Sequence, residues 1–323
     1  LRSKHSQLSS LAVAACRLGD CDMACSAAPR KNVAPGVFTA NEAPPTEVIP
    51  FHHEMAQCPT QPTVISFFCE VAPASGGETP ILPSCWAARF LNTAFTSIAA
   101  SLRARGVRYV RVIPDGDDES SPLGRSWQST FGVQTREEAE AAITRMEMRC
   151  EWLPNGDVRT TTKRMPFFTE HNGKELFYNA CVAALVGWGD SRNEASKTVT
   201  YGDGHPLEPA ALDALHACAR YMREVQVAFQ WRAGDMLILD NRTTMHSRAT
   251  FTPPRRILAA VSGPPMGSLP LPPTAARAGS ELAARVPSLT LRSKDCMPVI
   301  GLGTWKIPKE ATAAAVHAAI KQG

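Results

Sequence analysis

Two ligand-type side chains stand two residues apart in His52-His53-Glu54, and a matching imidazole, His246, comes far downstream. On an extended strand, residues i and i+2 point to the same face. His52 and Glu54 can therefore grip one ion while His53 faces the other way. Adding His246 gives two histidines and one carboxylate. That set holds one face of an Fe(II) octahedron and leaves the opposite face open for a co-substrate and O2. Zinc is more often closed in a tetrahedron of four ligands. A chain that uses this set must bring positions 52 and 246 together. His-x-Glu by itself occurs by chance, so the rest of the sequence has to carry the assignment.

With 323 residues, 44% hydrophobic and 20% charged, the chain is long enough for one large or two ordinary domains with a sizeable core. A formal net charge of +4 is small for that length, and no block of Lys and Arg points to nucleic acid. No apolar run approaches a membrane span. The apolar stretch from Leu8 to Cys16 is short and diluted with Ser and Ala, a poor signal peptide. Ten scattered cysteines without a Cys-x-x-Cys pair read as reduced thiols of a cytoplasmic protein, with Cys69 and Cys181 as small buried hydrophobes. The first residue is Leu1, which reads as the start of a fragment.

Residues 1–26 lack periodicity and are expected to be poorly ordered. Strands are expected at Val37–Ala40, Val48–Phe51, Thr63–Val71, Val107–Val112, Met236–Leu239 and Arg256–Val261, the longest of them β-branched and aromatic. Helices are expected at Ser84–Arg105, Thr135–Cys150 and Leu207–Phe229. In the last of these Leu212, Leu215, Ala219, Met222 and Val225 form a core stripe. Strands lie at the two ends and helices between them. This fits a mostly β core with α insertions better than alternating βαβ units. No Gly-x-Gly-x-x-Gly follows a strand, so a dinucleotide fold has no support. Residues 262–288 are a Pro/Gly/Ala-rich linker.

Further motifs surround the His-x-Glu: Gly76-Gly77-Glu78-Thr79, the run Trp231 to Asn241 ahead of His246, and Pro253-Pro254-Arg255-Arg256. Others are Phe38 to Glu42, Ser121 to Trp127 and Tyr201-Gly202-Asp203-Gly204. In this order and spacing they resemble the taurine dioxygenase superfamily of Fe(II)/2-oxoglutarate oxygenases, and within it the clavaminate-synthase-like branch, which uses Glu where many relatives use Asp. The resemblance covers residues 27–261. It implies a double-stranded β-helix (jelly roll) with flanking helices, and His52, Glu54 and His246 as iron ligands. Arg256 would hold the distal carboxylate of 2-oxoglutarate, with Thr79 donating its hydroxyl to the same group. A guanidinium fork suits a carboxylate. Arg255 would then point to the opposite face and make a surface ion pair. With O2, such a site converts 2-oxoglutarate to succinate and CO2 while oxidising a small-molecule substrate. The carboxylate of Glu54 favours hydroxylation, desaturation or ring closure over halogenation. Ala260 stands where the taurine enzyme has a sulfonate-binding arginine, which disfavours a sulfonate substrate.

Asn41, Arg125, Trp127 and Trp188 are candidates for the substrate pocket, each with a competing structural role. His171, His205 and His216 read as ordinary. Asp235 and Asp240 are candidates for support around the ligands rather than for metal binding. From Leu289 to Gly323 the chain resembles the opening of an aldo-keto reductase, carried by Leu291 to Lys306 and a following Ala-rich helix. That family's (β/α)8 barrel needs about 250 residues, so this piece reads as an incomplete second domain. With 51 residues ahead of His52, the front of the sheet is shorter than is usual in the family, which would expose a strand edge. Two other functional readings follow: a binding or scaffold protein that keeps the fold without turnover, and a passenger domain of an aldo-keto reductase.

Overall fold

The computed structural model describes residues 19–20, 31–34, 37–40, 43–118, 121, 123–187, 190–263, 288–290 and 296–298. The strands that build and flank the site are β1 (Asn32–Ala34), β2 (Val37–Thr39), β3 (Ile49–His52), β4 (Val64–Val71), β5 (Ile81–Pro83), β6 (Val107–Ile113), β7 (Met148–Trp152), β8 (Val158–Thr162), β9 (Val199–Tyr201), β10 (Met236–Asp240), β11 (Thr244–Arg248) and β12 (Arg256–Gly263). The main helices are α1 (Ser84–Ala94), α2 (Thr96–Arg105), α3 (Trp127–Phe131), α4 (Arg136–Arg145), α5 (Cys181–Val186) and α6 (Pro209–Val225).

Two antiparallel sheets form the heart of the unit that spans Asp20–Gly263. One runs β10-β4-β12-β2-β1 and the other β3-β11-β5. The alternation of β4 and β12 places Ile65, Phe67, Cys69, Ile257, Ala259 and Val261 on one face. There they bury themselves with Leu239 and Trp231. The Phe67 ring lies 5.1 Å from the His246 ring on β11, so this face looks onto the second sheet. This two-layer β arrangement is the jelly-roll core that the resemblance implies. Between β5 and β10 the chain inserts the helices and a third sheet of order β9-β6-β8-β7. The remaining unit comprises residues 1–19 and 264–323. Within it an antiparallel pair, Ser288–Thr290 with Cys296–Pro298, is described.

Local chemistry explains where the helices differ from expectation. The stretch 84–105 is two helices, because Phe95 leaves helical geometry with φ −137° and ψ 50°. Helix α4 opens on a capping box between Thr135 and Glu138, then stops at Arg145. Glu147 takes a left-handed φ of 56° and reverses the chain. Cys150, expected in the helix, therefore lies on β7. Helix α6 starts at Pro209, which suits the first helical position. It buries Ala211, Ala214, Leu215, Cys218, Ala219 and Met222. Leu212 and Val225 pack at the border of that core. Among the described residues no helix is long and apolar enough to cross a membrane. Cys58, Cys69, Cys85, Cys150, Cys181 and Cys218 are free thiols, and Cys69 and Cys181 are buried. The expectations for residues 1–18, 21–26 and 264–287, for Asn41 and Trp188, and for most of 289–323 lie outside the described residues.

Candidate metal centre

Strand β3 delivers His52 and then ends, and Glu54 sits in the turn that follows. The i,i+2 geometry expected of a strand is thus completed by a turn, in which Met55 takes φ 56°. Strands β3 and β11 pair His52 directly with His246. His52, Glu54 and His246 each offer a ligand atom, all within 4.8 Å of one another. His246 Nε2 and Glu54 Oε2 stand 3.8 Å apart. Metal bonds of roughly 2.0–2.2 Å to nitrogen and oxygen let one ion sit between them. The two imidazole centroids are 4.4 Å apart, with the rings tilted by 53°. His52 Nδ1 lies 2.8 Å from the carbonyl of Pro50. A carbonyl only accepts, so Nδ1 carries the proton and the Nε2 lone pair is left for an ion. Two imidazoles and one carboxylate, largely removed from water, fit Fe(II) by donor type.

His53 faces away from this cluster. Its Nδ1 donates to the Asn241 carbonyl at 2.5 Å, and its ring packs against Tyr178 with centroids 4.4 Å apart and the planes tilted by 37°. Burial lowers its pKa to about 3, so it stays neutral. Asn241 is fully buried. Its side chain accepts from the Glu54 N–H at 2.8 Å and donates to the carbonyls of Glu54 at 3.0 Å and Pro62 at 2.8 Å. The sequence singles out the carboxylates Asp235 and Asp240 just ahead of it and not the amide. Asp240 instead binds Arg242 through both of its carboxylate oxygens, and Asp235 closes its own turn onto the Arg232 N–H. The available signal was chemical: a side-chain amide can accept from the N–H of a residue and donate to its C=O at the same time.

Thr79 is 3% exposed, and its hydroxyl accepts from the Trp231 indole N–H at 3.1 Å. The segment carrying it is tied alongside the chain that follows His246, through Ser247 N–H to Pro80 O at 2.9 Å and Ala249 N–H to Glu78 O at 3.1 Å. The two arginines exchange the places expected for them. Arg256 has a 48% exposed side chain and bonds Glu70 at 2.6 Å. Arg255 is the one turned inward. Its Nε donates to the Gly77 carbonyl at 3.0 Å, and no carboxylate among the described residues pairs with it. Alternation along β12 accounts for this: Ile257, Ala259 and Val261 lie on the buried face, so Arg256 points outward, while Arg255, two residues before Ile257, falls on the inward side. Burial, and the nearby charge of Arg248, lower the pKa of Arg255 to about 10. Gly77, at φ 70°, permits this close approach. A Cβ there would stand 2.9 Å from Arg255 Cδ.

The other candidates fall outside this cluster. Trp127 is core, edge-on to Trp152 at 5.3 Å. Arg125 binds Ser129, within its own loop and helix. His205 is 76% exposed and bonds Asp203, and neither His171 nor His216 joins a ligand cluster among the described residues.

Residues 12–261 match the family model described as taurine catabolism dioxygenase, TauD/TfdA. The chain is similar to a clavaminate synthase-like protein of Arabidopsis thaliana, 43% identical over 237 residues, which are 73% of this chain and 71% of the relative. It is also similar to the dapdiamide synthesis protein DdaC of Enterobacter agglomerans, 29% identical over 253 residues, again 73% and 71% of the two chains. Among solved structures, an asparagine oxygenase in complex with Fe(II), 3-hydroxyasparagine and succinate aligns with a TM-score of 0.43 and 15% identity, over 75% of this chain and 62% of that one. The family match agrees with a metal centre built from residues so far apart in sequence: the chain belongs to the TauD/TfdA family of taurine catabolism dioxygenases and is a non-haem Fe(II)/2-oxoglutarate-dependent dioxygenase.

Proposed function

We propose that His52, Glu54 and His246 hold the iron, and that Arg255 and Thr79 take the distal carboxylate of 2-oxoglutarate. The observation that carries this reading is the convergence of three donor atoms within 4.8 Å from segments far apart in the chain. When bound, Fe(II) with 2-oxoglutarate supplies oxidative decarboxylation to succinate and CO2, coupled to oxidation of a small-molecule C–H bond. The protein's part is placement and exclusion of water. His52 presents Nε2 because Pro50 fixes its other nitrogen. Glu54 contributes a carboxylate whose charge offsets that of the ion. Phe67 packs edge-on against His246, and Trp231 covers Thr79. Arg255 brings a fixed cation that a dicarboxylate needs at its far end.

The ligand carboxylate of Glu54 supports hydroxylation, desaturation or ring closure. Ala259 and Ala260 follow Arg255 and Arg256 by four residues, so neither register supplies a second cation for a sulfonate. The substrate is read as another class of small molecule. Scattered cysteines without disulfides support a reducing, cytoplasmic setting. The segment from Leu289 is read as the opening of an aldo-keto reductase, tested by the transcript sequence beyond Gly323. The central test is succinate release from 2-oxoglutarate with Fe(II) under air. His246→Ala is expected to reduce it to background and to abolish the anaerobic Fe(II)–2-oxoglutarate charge-transfer band. Retention of that band in the variant would reject His246 as a ligand.

A further inference from the structure

Asn241 lies in the turn between β10 and β11, five residues before His246. Through one side chain it grips both the N–H and the C=O of Glu54, at 2.8 and 3.0 Å, and the Pro62 carbonyl at 2.8 Å. Its backbone takes part as well. The carbonyl accepts from His53 Nδ1 at 2.5 Å, and the N–H donates to Thr63 O at 2.8 Å. The far end of the same turn is held where the Ser84 N–H donates to Thr243 O at 2.9 Å.

Glu54 needs this support more than the histidines do. His52 and His246 sit on paired strands, whose ladder fixes their directions. Glu54 sits beyond the end of β3, in a turn, next to a residue of positive φ. Bonds to both its N–H and its C=O remove the freedom of its peptide planes and so aim its Cα–Cβ bond. We propose that Asn241 is a positioning residue, which sets the distance between the Glu54 carboxylate and His246 before any ion binds. This rests on the reading of the three donors as a metal site.

The test uses Co(II), whose visible absorption reports binding without turnover. In the full chain, Asn241→Ala is expected to weaken Co(II) binding about ten- to a hundredfold, the usual cost of losing a partner that orients a metal ligand. A purely structural role is separated by Asn193→Ala. Asn193 makes a comparable clamp, to the N–H of Val112 at 2.8 Å, its carbonyl at 3.0 Å and Asp190 at 2.9 Å, away from the ligands. This control is expected to lower Tm and leave the Co(II) Kd within about twofold of the parent. Should Asn241→Ala fail to fold, Asn241→Ser carries the measurement. A folded Asn241 variant with the parent's Co(II) affinity overturns the proposal, as does an equal loss in Asn193→Ala. No Co(II) binding by the parent chain would overturn the metal reading itself, and the two failures are thereby distinguished.

Discussion

Replacing Arg255 by Met, with Arg256→Met in parallel, tests the most consequential difference between what the family resemblance implies and the folded chain. Arg255 is largely withdrawn from water. Its Nε is committed to Gly77 O at 3.0 Å, and no carboxylate among the described residues pairs with it. Truncating one partner of a buried, hydrogen-bonded charge pair costs about 2–5 kcal/mol. Arg255 keeps some solvent contact, so the lower end applies. At about 1.4 kcal/mol per tenfold, about 2–3 kcal/mol predicts a 2-oxoglutarate Kd raised about 30- to 140-fold. Arg256, 48% exposed on Glu70, belongs to the class of surface pairs worth about 0–1 kcal/mol, so its loss changes Kd less than about fivefold. The assay is anaerobic titration of 2-oxoglutarate into the Fe(II)-loaded protein, followed by the charge-transfer band. Stability supplies a second sign. Burial holds the folded pKa of Arg255 at about 10, below its usual value of 12.5. A cation with a lowered folded pKa costs stability at every pH below about 10, and that cost fades as pH rises from there toward 12.5. The ligand-free Arg255→Met protein should therefore melt no lower than the parent while binding 2-oxoglutarate worse. Loss of affinity in Arg256→Met, with Arg255→Met unaffected, would refute the reasoning and restore the role that the family resemblance implies for Arg256.

Two further outcomes test the scaffold. Thr135→Ala removes half of the capping box of α4 and should cost about 1 kcal/mol, read as a shift of the urea midpoint at constant slope; no shift would show that the cap is not formed. The fully buried Asp190 carboxylate is pushed upward by burial, yet bonds from Arg192, Ser121 and Asn193 more than offset this and hold its pKa at about 2. A lowered folded pKa gives stability that is present above about pH 4 and lost as pH falls through about 2. Melts between pH 2 and 5 should therefore show a steeper acid loss in the parent than in Asp190→Asn, and parallel curves would contradict this.

Much of the fold is legible because burial on one face leaves a period in the chain. Val64–Val71, Val107–Ile113 and the stripe of α6 announce themselves in this way. Breaks in the pattern are harder to read. Phe95 divides one expected helix into two, and Glu147 turns another into a helix and a strand, because single residues outside helical φ and ψ carry no periodic signal. The ligand set was readable because metal chemistry restricts residue type: His52, Glu54 and His246 are named by what they are. Asn241 was not, since its role depends on which backbone groups a turn brings within 3 Å of an amide.

What the sequence by itself determined is therefore the chemistry on offer: two imidazoles, one carboxylate, a buried hydroxyl and a pair of neighbouring arginines, on a chain patterned for facing sheets. Only the tertiary structure decided which arginine faces inward. Ile257 to Val261 is apolar at every position, so the period of two carries no polar residue to mark which alternate set faces the core. The choice comes from the packing of β12 beside β4 and against the facing sheet, strands distant in sequence, which no local pattern in Pro253-Pro254-Arg255-Arg256 records.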